Sequence, residues 1–190
     1  MNSFQAILDD HLGVARQLKM DRLQERLDQA IEIISSALAQ NLPVLVCGNG
    51  GSAADAQHVA AELVGRFLLE RRALNVQCLS SNTSVVTAWS NDYSFDTVFS
   101  RQVEAHGAPG GVLWVFSTSG RSKNILRAAE AARTAKMTVV ALTGEGGGDL
   151  AALSDVLLDV PSTRTPRIQE IHLLYYHYLC QEIEARLVVA

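Results

Sequence analysis

Hydrophobic residues in the first 40 positions recur at helical spacing, in two separate stripes. The first stripe is Phe4, Ile7, Leu8, Leu12 and Ala15, and the second is Leu23, Leu27, Ile31, Ile34 and Leu38. Because residues three and four apart share one face of a helix, the pattern predicts two amphipathic helices within residues 1–40. Lys19-Met20-Asp21 separates the stripes, and Asp21 is a suitable N-cap for the second helix. We expect a helical hairpin that covers an α/β core or packs against another subunit.

From Leu42 onward the pattern changes to short apolar runs, rich in β-branched residues, that alternate with helical stretches. The predicted strands are residues 44–47, 76–79, 112–117, 138–143 and 156–160. The predicted helices are residues 53–67, 84–91, 93–106, 122–135, 148–152 and 166–186. This alternation is typical of a parallel sheet with crossover helices. It predicts a doubly wound, flavodoxin-like α/β fold of five strands, whose ligands bind at the carboxyl ends of the strands.

The chain shows no internal repeat and no linker-like segment. With 190 residues, 48% of them hydrophobic, it is long enough for one sizeable core. We therefore predict a single domain over residues 1–190. Its parts are the N-terminal hairpin (1–40), the α/β core (41–162) and a C-terminal helix (163–190).

Charge and cysteine content argue against several classes of protein. The formal net charge is -4 without a long basic run, which disfavours nucleic-acid binding. Cys47, Cys78 and Cys180 are too far apart for a Cys-x-x-Cys motif, so neither a disulfide framework nor a thiolate zinc site is expected. No segment approaches the ~18 apolar residues of a membrane helix, and residues 1–10 do not resemble a signal peptide. We expect a cytoplasmic protein with no membrane association.

Polar residues collect after the predicted strands, in loops 48–52, 80–84, 117–122 and 143–148. Glycine-rich turns and hydroxyls beside helix N-termini bind phosphate through backbone N–H groups, although the same residues are also ordinary caps and turn formers. Loop 117–122 has four hydroxyls, more than one cap needs, which favours phosphate binding. Loop 48–52 is neither a P-loop nor a dinucleotide-binding turn. For loop 143–148 we favour a structural turn.

Two helices carry candidate metal or proton-transfer groups. His58 and Glu62 are one turn apart on the helix after loop 48–52, a spacing that also suits a solvated surface pair. On the last helix, Gln169 and His177 are separated by about 80° of rotation and so share a face. His172 is either a rival ligand or a histidine of the core.

Four motifs give the chain a resemblance to a known family. They are Gly48-Asn49-Gly50-Gly51-Ser52 with Ala53-Ala54-Asp55-Ala56-Gln57-His58, then Asn91-Asp92-Tyr93, Ser117-Thr118-Ser119-Gly120, and Arg167-Ile168-Gln169-Glu170-Ile171-His172. In this order and spacing, over nearly the whole chain to about Arg186, they resemble the sugar isomerase (SIS) domain of phosphoheptose isomerases.

The resemblance implies conversion of sedoheptulose 7-phosphate to D-glycero-D-manno-heptose 7-phosphate, a step toward ADP-heptose for lipopolysaccharide or other glycoconjugates. It implies one zinc ion per subunit, held by His58, Glu62, Gln169 and His177. It also implies homotetramers with sites between subunits. The implied substrate contacts are Asn49, Gly50, Gly51, Ser52, Glu62, Asn91, Asp92, Ser117, Thr118, Ser119, Ser122 and Gln169.

These residue types suit the chemistry of such an isomerase. Moving a carbonyl between C1 and C2 requires a base that takes a proton from one carbon and returns it to the next, through an enediol. We assign the carbon proton to Glu62 and the oxygen protons to His177. Zinc would position the substrate and act as a Lewis acid. Because an amide oxygen is a weak zinc ligand, we expect the metal to be labile.

Two segments depart from the family pattern. Residues 163–167 lack the acid that some phosphoheptose isomerases carry there, and Trp89 is bulkier than the residue expected before Asn91-Asp92.

An alternative is a non-catalytic regulator of the same fold that binds the replication initiator protein. Regulators of that class look to lack an acid at the position of Glu62 and a histidine at the position of His177, whereas this chain has both. A sugar-phosphate sensor is a further alternative.

Overall fold

The computed structural model describes residues 3–188, so the outermost residues of the predicted hairpin and C-terminal helix lie outside the described residues. Helices and strands alternate after two initial helices. The helices are α1 (Phe4–Arg16), α2 (Met20–Ala39), α3 (Gly51–Val64), α4 (Thr83–Asp92), α5 (Val98–His106), α6 (Lys123–Thr134) and α7 (Thr165–Val188). The strands are β1 (Val44–Gly48), β2 (Val76–Cys78), β3 (Val112–Ser117), β4 (Thr138–Thr143) and β5 (Val156–Asp159).

The strands form one parallel sheet in the order β2-β1-β3-β4-β5. Val44 pairs with Val76 on one side and with Val112 on the other. The order reverses direction between β1 and β3, which is the topological switch point of a flavodoxin-like sheet. The predicted fold class is confirmed.

Both faces of the sheet are covered by helices. Along β1, Val44 and Val46 face a core built with α2, α3 and α7, whereas Leu45 and Cys47 face a second core built with α5 and α6. Every residue of β3 is buried. Strands covered on both faces need apolar side chains at successive positions, which explains the unbroken apolar runs in the sequence.

The predicted strands agree with the structure to within one residue at each end, but one predicted helix is wrong. Residues 93–106 do not form one helix, because α4 ends at Asp92 with Tyr93 as its C-cap, and a short 3-10 helix follows at Phe95–Thr97 before α5 begins at Val98. The Ser94 hydroxyl accepts a hydrogen bond from the amide of Asp96 at 3.1 Å and so caps a new start. Residues 148–152 form a 3-10 helix, Gly148–Leu153, rather than an α-helix.

Asp21 is not the N-cap of the second helix. Lys19 occupies that position and provides no side-chain cap, so Asp21 lies in the first turn of α2. An acid in the first turn interacts favourably with the helix dipole, which accounts for its position without a cap. None of the helices within residues 3–188 combines the length and the apolar character that a bilayer span requires.

Candidate functional site

The glycine-rich loop turns sharply from β1 into the N-terminus of α3. Gly50 adopts a left-handed φ of +56°, a conformation that suits glycine. A Cβ atom on Gly48 would overlap the backbone of Ser52, so the turn cannot take a larger residue there. The free N–H groups at the start of α3 therefore come close to any anion placed at this loop.

Asn49 is held by a residue that the sequence analysis did not single out. Its Nδ2 donates to Oδ1 of Asn124 at 2.9 Å, and Nδ2 of Asn124 donates back to Oδ1 of Asn49 at 2.8 Å. Asn124 is 2% exposed and lies in the first turn of α6. The amide pair joins the glycine-rich loop to the helix that follows loop 117–122. An isolated Asn in a helix gives no signal in the sequence for such a role.

Loop 117–122 contains hydroxyl groups whose hydrogen-bonding capacity is not satisfied within the protein. The buried Oγ of Ser117 has no hydrogen-bond partner within residues 3–188. Ser122 occupies the N-cap position of α6 without a side-chain cap bond. Ser119 Oγ accepts from the amide of Arg121 at 3.2 Å. A buried hydroxyl without a protein partner beside a helix N-terminus is suited to hydrogen bond with an anionic ligand.

The other two polar loops serve the fold. Gly147 is left-handed, and the amide of Gly144 donates to the Thr118 carbonyl at 3.1 Å, so loop 143–148 supports loop 117–122 as a structural turn. In loop 80–84, Ser80 Oγ donates to the Gly48 carbonyl at 3.1 Å and Asn82 caps α4.

His58, Glu62 and His177 come together between α3 and α7. Nε2 of His58 lies 2.9 Å from Oε1 of Glu62. The rings of His58 and His177 stand nearly perpendicular, with centroids 5.2 Å apart. Burial lowers the pKa of His177, and the neighbouring His58 lowers it further against the opposing pull of Glu62. His177 is therefore mainly neutral near pH 7 and able to accept a proton.

Two further polar residues of this cluster were missed from the sequence. The Tyr176 hydroxyl lies 2.9 Å from Nδ1 of His58, and burial raises its pKa, so the phenol stays protonated. Asp55 lies one turn before His58, and its buried Oδ2 has no partner within residues 3–188. Burial raises the pKa of Asp55 to about 6, although the nearby His58 lowers it. Only Asp55, inside the motif that ends at His58, had a signal in the sequence.

Gln169 lies at the start of α3 rather than beside His58. A Cβ atom on Gly51 would be 2.6 Å from Nε2 of Gln169. Gln169 thus approaches the glycine-rich loop from α7, while His177 approaches Glu62 two turns later on the same helix.

Three of the four predicted ligands, His58, Glu62 and His177, have donor types that fit zinc, which binds imidazole nitrogen and carboxylate oxygen, and the Gln169 amide oxygen would be a weaker fourth. Within residues 3–188, however, no three His, Cys, Asp or Glu side chains are already arranged around a common metal position. The reason is local, because His58 Nε2 and Glu62 Oε1 are hydrogen bonded to each other. A metal at this place would take over both atoms, so binding requires this hydrogen bond to open.

His172 belongs to the core. It is fully buried, with Nε2 3.1 Å from the Thr143 carbonyl oxygen and its ring edge-on to Phe116. Burial lowers its pKa to about 4, only partly opposed by the Thr143 carbonyl. The alternative of His172 as a rival ligand is therefore not supported.

Asn91 and Asp92 lie at the exposed end of α4, where Asn91 Nδ2 donates to Oδ1 of Asp92 at 2.9 Å. In the part of the chain that the structure describes, no hydrogen bond joins them to the other predicted site residues. The Trp89 ring stacks on the Tyr93 ring, with centroids 4.2 Å apart, and Nε1 of Trp89 donates to Oγ1 of Thr97 at 2.8 Å. Arg164, from the segment without the family's acid, forms an ion pair with Asp10 of α1.

Comparison with known proteins gives one consistent result. The SIS domain model matches residues 13–144. A phosphoheptose isomerase of Bordetella avium (strain 197N) is 54% identical over 182 residues, covering 94% of this chain and 92% of that protein. A phosphoheptose isomerase of Rhodospirillum rubrum is 53% identical over 82% of this chain and 83% of that protein. The solved phosphoheptose isomerase of Neisseria gonorrhoeae is 44% identical with a TM-score of 0.89, covering 95% of this chain and 96% of that chain.

Proposed function

The chain belongs to the phosphoheptose isomerases of the SIS domain family, and from this premise we propose that it converts sedoheptulose 7-phosphate to D-glycero-D-manno-heptose 7-phosphate. As a member of this family, the chain is an isomerase whose substrate is a sugar phosphate. The observation that carries the proposal is the cluster of Glu62 and His58 on α3 with His177 on α7, since the N-terminus of that same α3 helix carries the glycine-rich loop.

The phosphate group is assigned to the two loops at the switch point. Loop 48–52 offers backbone N–H groups, and loop 117–122 offers the unpartnered hydroxyl of Ser117 with those of Thr118, Ser119 and Ser122. Gln169, against Gly51, would contact the sugar end of the substrate. Binding the phosphate at the start of α3 directs the sugar along that helix toward Glu62.

Proton transfer is assigned to Glu62 and His177. Glu62 takes a proton from C1 of the ketose, which gives an enediol with a double bond between C1 and C2. Glu62 then returns the proton to C2, and the carbonyl group forms at C1 as the aldehyde. His177, neutral near pH 7, accepts the proton from one oxygen and returns it to the other. In the metal-free protein His58 holds the Glu62 carboxylate through their 2.9 Å hydrogen bond, and the Tyr176 hydroxyl contacts the other ring nitrogen of His58.

A zinc ion in each subunit is part of the proposal. His58, Glu62 and His177 would hold it, with Gln169 as the fourth, weaker ligand. When bound, zinc supplies Lewis acidity to the sugar oxygens. Support comes from the donor types and from the proximity of the first three side chains.

A homotetramer with sites between subunits is likewise proposed. The apolar stripe of α1 remains exposed, with Phe4 79% and Ile7 42% exposed, and so do Leu173 and Leu174 of α7. A second copy of the chain would bury these residues close to the site. We place the enzyme in the cytoplasm, with its product directed to ADP-heptose for lipopolysaccharide or other glycoconjugates.

The proposal is tested by NMR of the product formed from sedoheptulose 7-phosphate by zinc-loaded protein. Glu62→Gln removes the base but keeps the shape, so turnover should fall by about 10²–10⁴-fold. Glu70→Gln, at a fully exposed position on the segment after α3, is the matched control and should keep wild-type turnover. Removal of zinc by a chelator should abolish activity, and re-addition should restore it.

A wild-type protein that binds zinc but forms no heptose product would contradict the assignment. The regulator alternative would then gain support. At present it is disfavoured because a partner-binding protein has no chemical need for Glu62 and His177, which this chain has and places together.

A further inference from the structure

The segment that follows α3 is held against α7 by one buried carboxylate. Glu184 is 1% exposed. Its Oε1 accepts from the amide of Phe67 at 2.8 Å, and its Oε2 accepts from the amides of Leu68 at 2.6 Å and Leu69 at 2.8 Å. Three hydrogen bonds from consecutive amides to an ionised group are strong and directional. They therefore fix the backbone of residues 67–69.

Arg71 connects this carboxylate to the end of α3. Its Nε lies 3.3 Å from Oε1 of Glu184, as a charge contact without hydrogen-bond alignment. Its Nη1 donates to the Gly65 carbonyl at 2.7 Å, and its Nη2 donates to the backbone carbonyl of Glu62 at 2.8 Å. One buried guanidinium thus touches both the Glu184 carboxylate and the main chain of the proposed base.

The same segment contacts His177. Glu184 follows His177 by seven residues, close to two helical turns, so both side chains leave α7 on one face. The Phe67 ring packs against the His177 ring, with centroids 5.7 Å apart. That face of α7 therefore binds the backbone of Phe67 through Glu184 and its ring through His177.

We propose that Glu184 is a positioning residue for the isomerisation: together with Arg71 it fixes residues 67–69, and through them the placement of His177 relative to Glu62. The inference rests on the proposed function, since it assigns proton transfer to those two residues. Burial raises the pKa of Glu184, but the three amides and Arg71 outweigh it and lower the pKa overall, so the carboxylate stays ionised.

The first test is Glu184→Gln in the zinc-loaded enzyme. The amide keeps the size of the side chain but presents an NH₂ group to backbone donors, which releases part of residues 67–69. A small misplacement of reacting groups costs up to about 10²-fold in rate, so kcat should fall by roughly ten- to a hundredfold. KM should stay within about threefold, because within residues 3–188 no hydrogen bond joins residues 67–69 to the phosphate loops.

Glu182→Gln is the matched control, since Glu182 lies on the same helix. Within residues 3–188 its carboxylate accepts one long hydrogen bond, from Nε2 of Gln181 at 3.4 Å. This variant should behave as wild type. A purely structural role for Glu184 predicts a lower melting temperature with normal kcat wherever the variant is folded. That result would overturn the proposal.

A second variant separates the ring contact from the backbone anchor. Phe67→Leu keeps the amide bonds to Glu184 but removes the ring packed on His177, so kcat should fall while residues 67–69 remain protected from hydrogen exchange. An unchanged kcat in Phe67→Leu would contradict positioning through this contact.

A readout without turnover distinguishes failure of this inference from failure of the proposed function. In Glu184→Gln, amide exchange at residues 67–69 should speed up and the His177 ring-proton NMR signals should shift, with neither change in Glu182→Gln. These signals are read on metal-free protein even if wild type does not isomerise the heptose. Unchanged signals would refute the positioning role, whatever the substrate.

Discussion

At the scale of single residues, the polar groups of the site differ in whether their hydrogen bonds are already made. Asn49 and Asn124 satisfy each other's amides, whereas the buried Oγ of Ser117 has no partner within residues 3–188. A buried polar group without a partner costs about 1–3 kcal/mol, so a ligand that bonds to it recovers that energy. This difference separates residues that hold the loops in place from residues whose hydrogen-bonding groups remain available for the proposed substrate.

The amide pair leads to a prediction for Asn124. Asn124→Ala removes both bonds and leaves the Asn49 amide without its partner, which loosens the loop that receives phosphate. We expect KM for the sugar phosphate to rise about tenfold, the equivalent of ~1.4 kcal/mol, with a smaller change in kcat. Steady-state kinetics measures this, with Glu130→Gln on the exposed face of α6 as the control. Wild-type KM in Asn124→Ala would show that the loop is organised without the pair.

At the scale of elements, α7 places four polar residues in four different surroundings. Gln169 meets the glycine-rich loop, His172 enters the core, His177 meets His58, and Glu184 binds the segment after α3. The helix therefore carries polar side chains where it meets the site and the segment after α3, and mainly apolar side chains along the rest of the face that covers the sheet.

The lowered pKa of His172 predicts how the free energy of unfolding depends on pH. The pKa of this residue falls from an ordinary 6.5 to about 4 in the fold, so the unfolded chain binds a proton that the folded chain excludes between these values. Its contribution to the free energy of unfolding is fully present above about pH 6.5 and is lost as pH falls toward about 4, a change of about 3 kcal/mol. Urea unfolding at about pH 7 and about pH 5 measures it.

The variant His172→Leu should reduce this pH dependence, because the buried imidazole is gone while the shifted pKa values of Asp55 and His177 remain. The Thr143 carbonyl keeps its bond from the amide of Val160 at 3.0 Å. His106→Asn, at an exposed position on α5, should leave the wild-type slope unchanged. An equal slope in wild type and His172→Leu would mean that the buried imidazole is not its origin.

At the scale of the whole molecule, exposed apolar residues on α1 and α7 predict an oligomer. Leu174 is 54% exposed, and Leu174→Glu should place a charge in the proposed interface. We expect sedimentation to show tetramers for wild type and smaller species for the variant, with activity lost in parallel if subunits share the site. Gln181→Glu, on the same helix, is the control. A stable wild-type monomer at micromolar concentration would contradict shared sites.

The sequence by itself determined the elements and the class of chemistry. Helical and strand periodicity follow from backbone geometry and from which faces avoid water, so all five strand positions were predicted to within one residue. The sequence also placed the polar loops at the strand ends. It could not show that a new helix begins after Ser94, because the capping bond from the amide of Asp96 to the Ser94 hydroxyl forms only in the folded chain.

The tertiary structure alone decided which distant residues support the site. Asn124 reaches Asn49 across 75 positions, Tyr176 reaches His58 across 118, and Glu184 reaches Phe67 across 117. Periodicity assigns a residue to a face but carries no information about the partner on another element. Only the packing of α3, α6 and α7 around the sheet brings these groups within hydrogen-bonding distance, and only that packing makes His172 a core residue rather than a ligand.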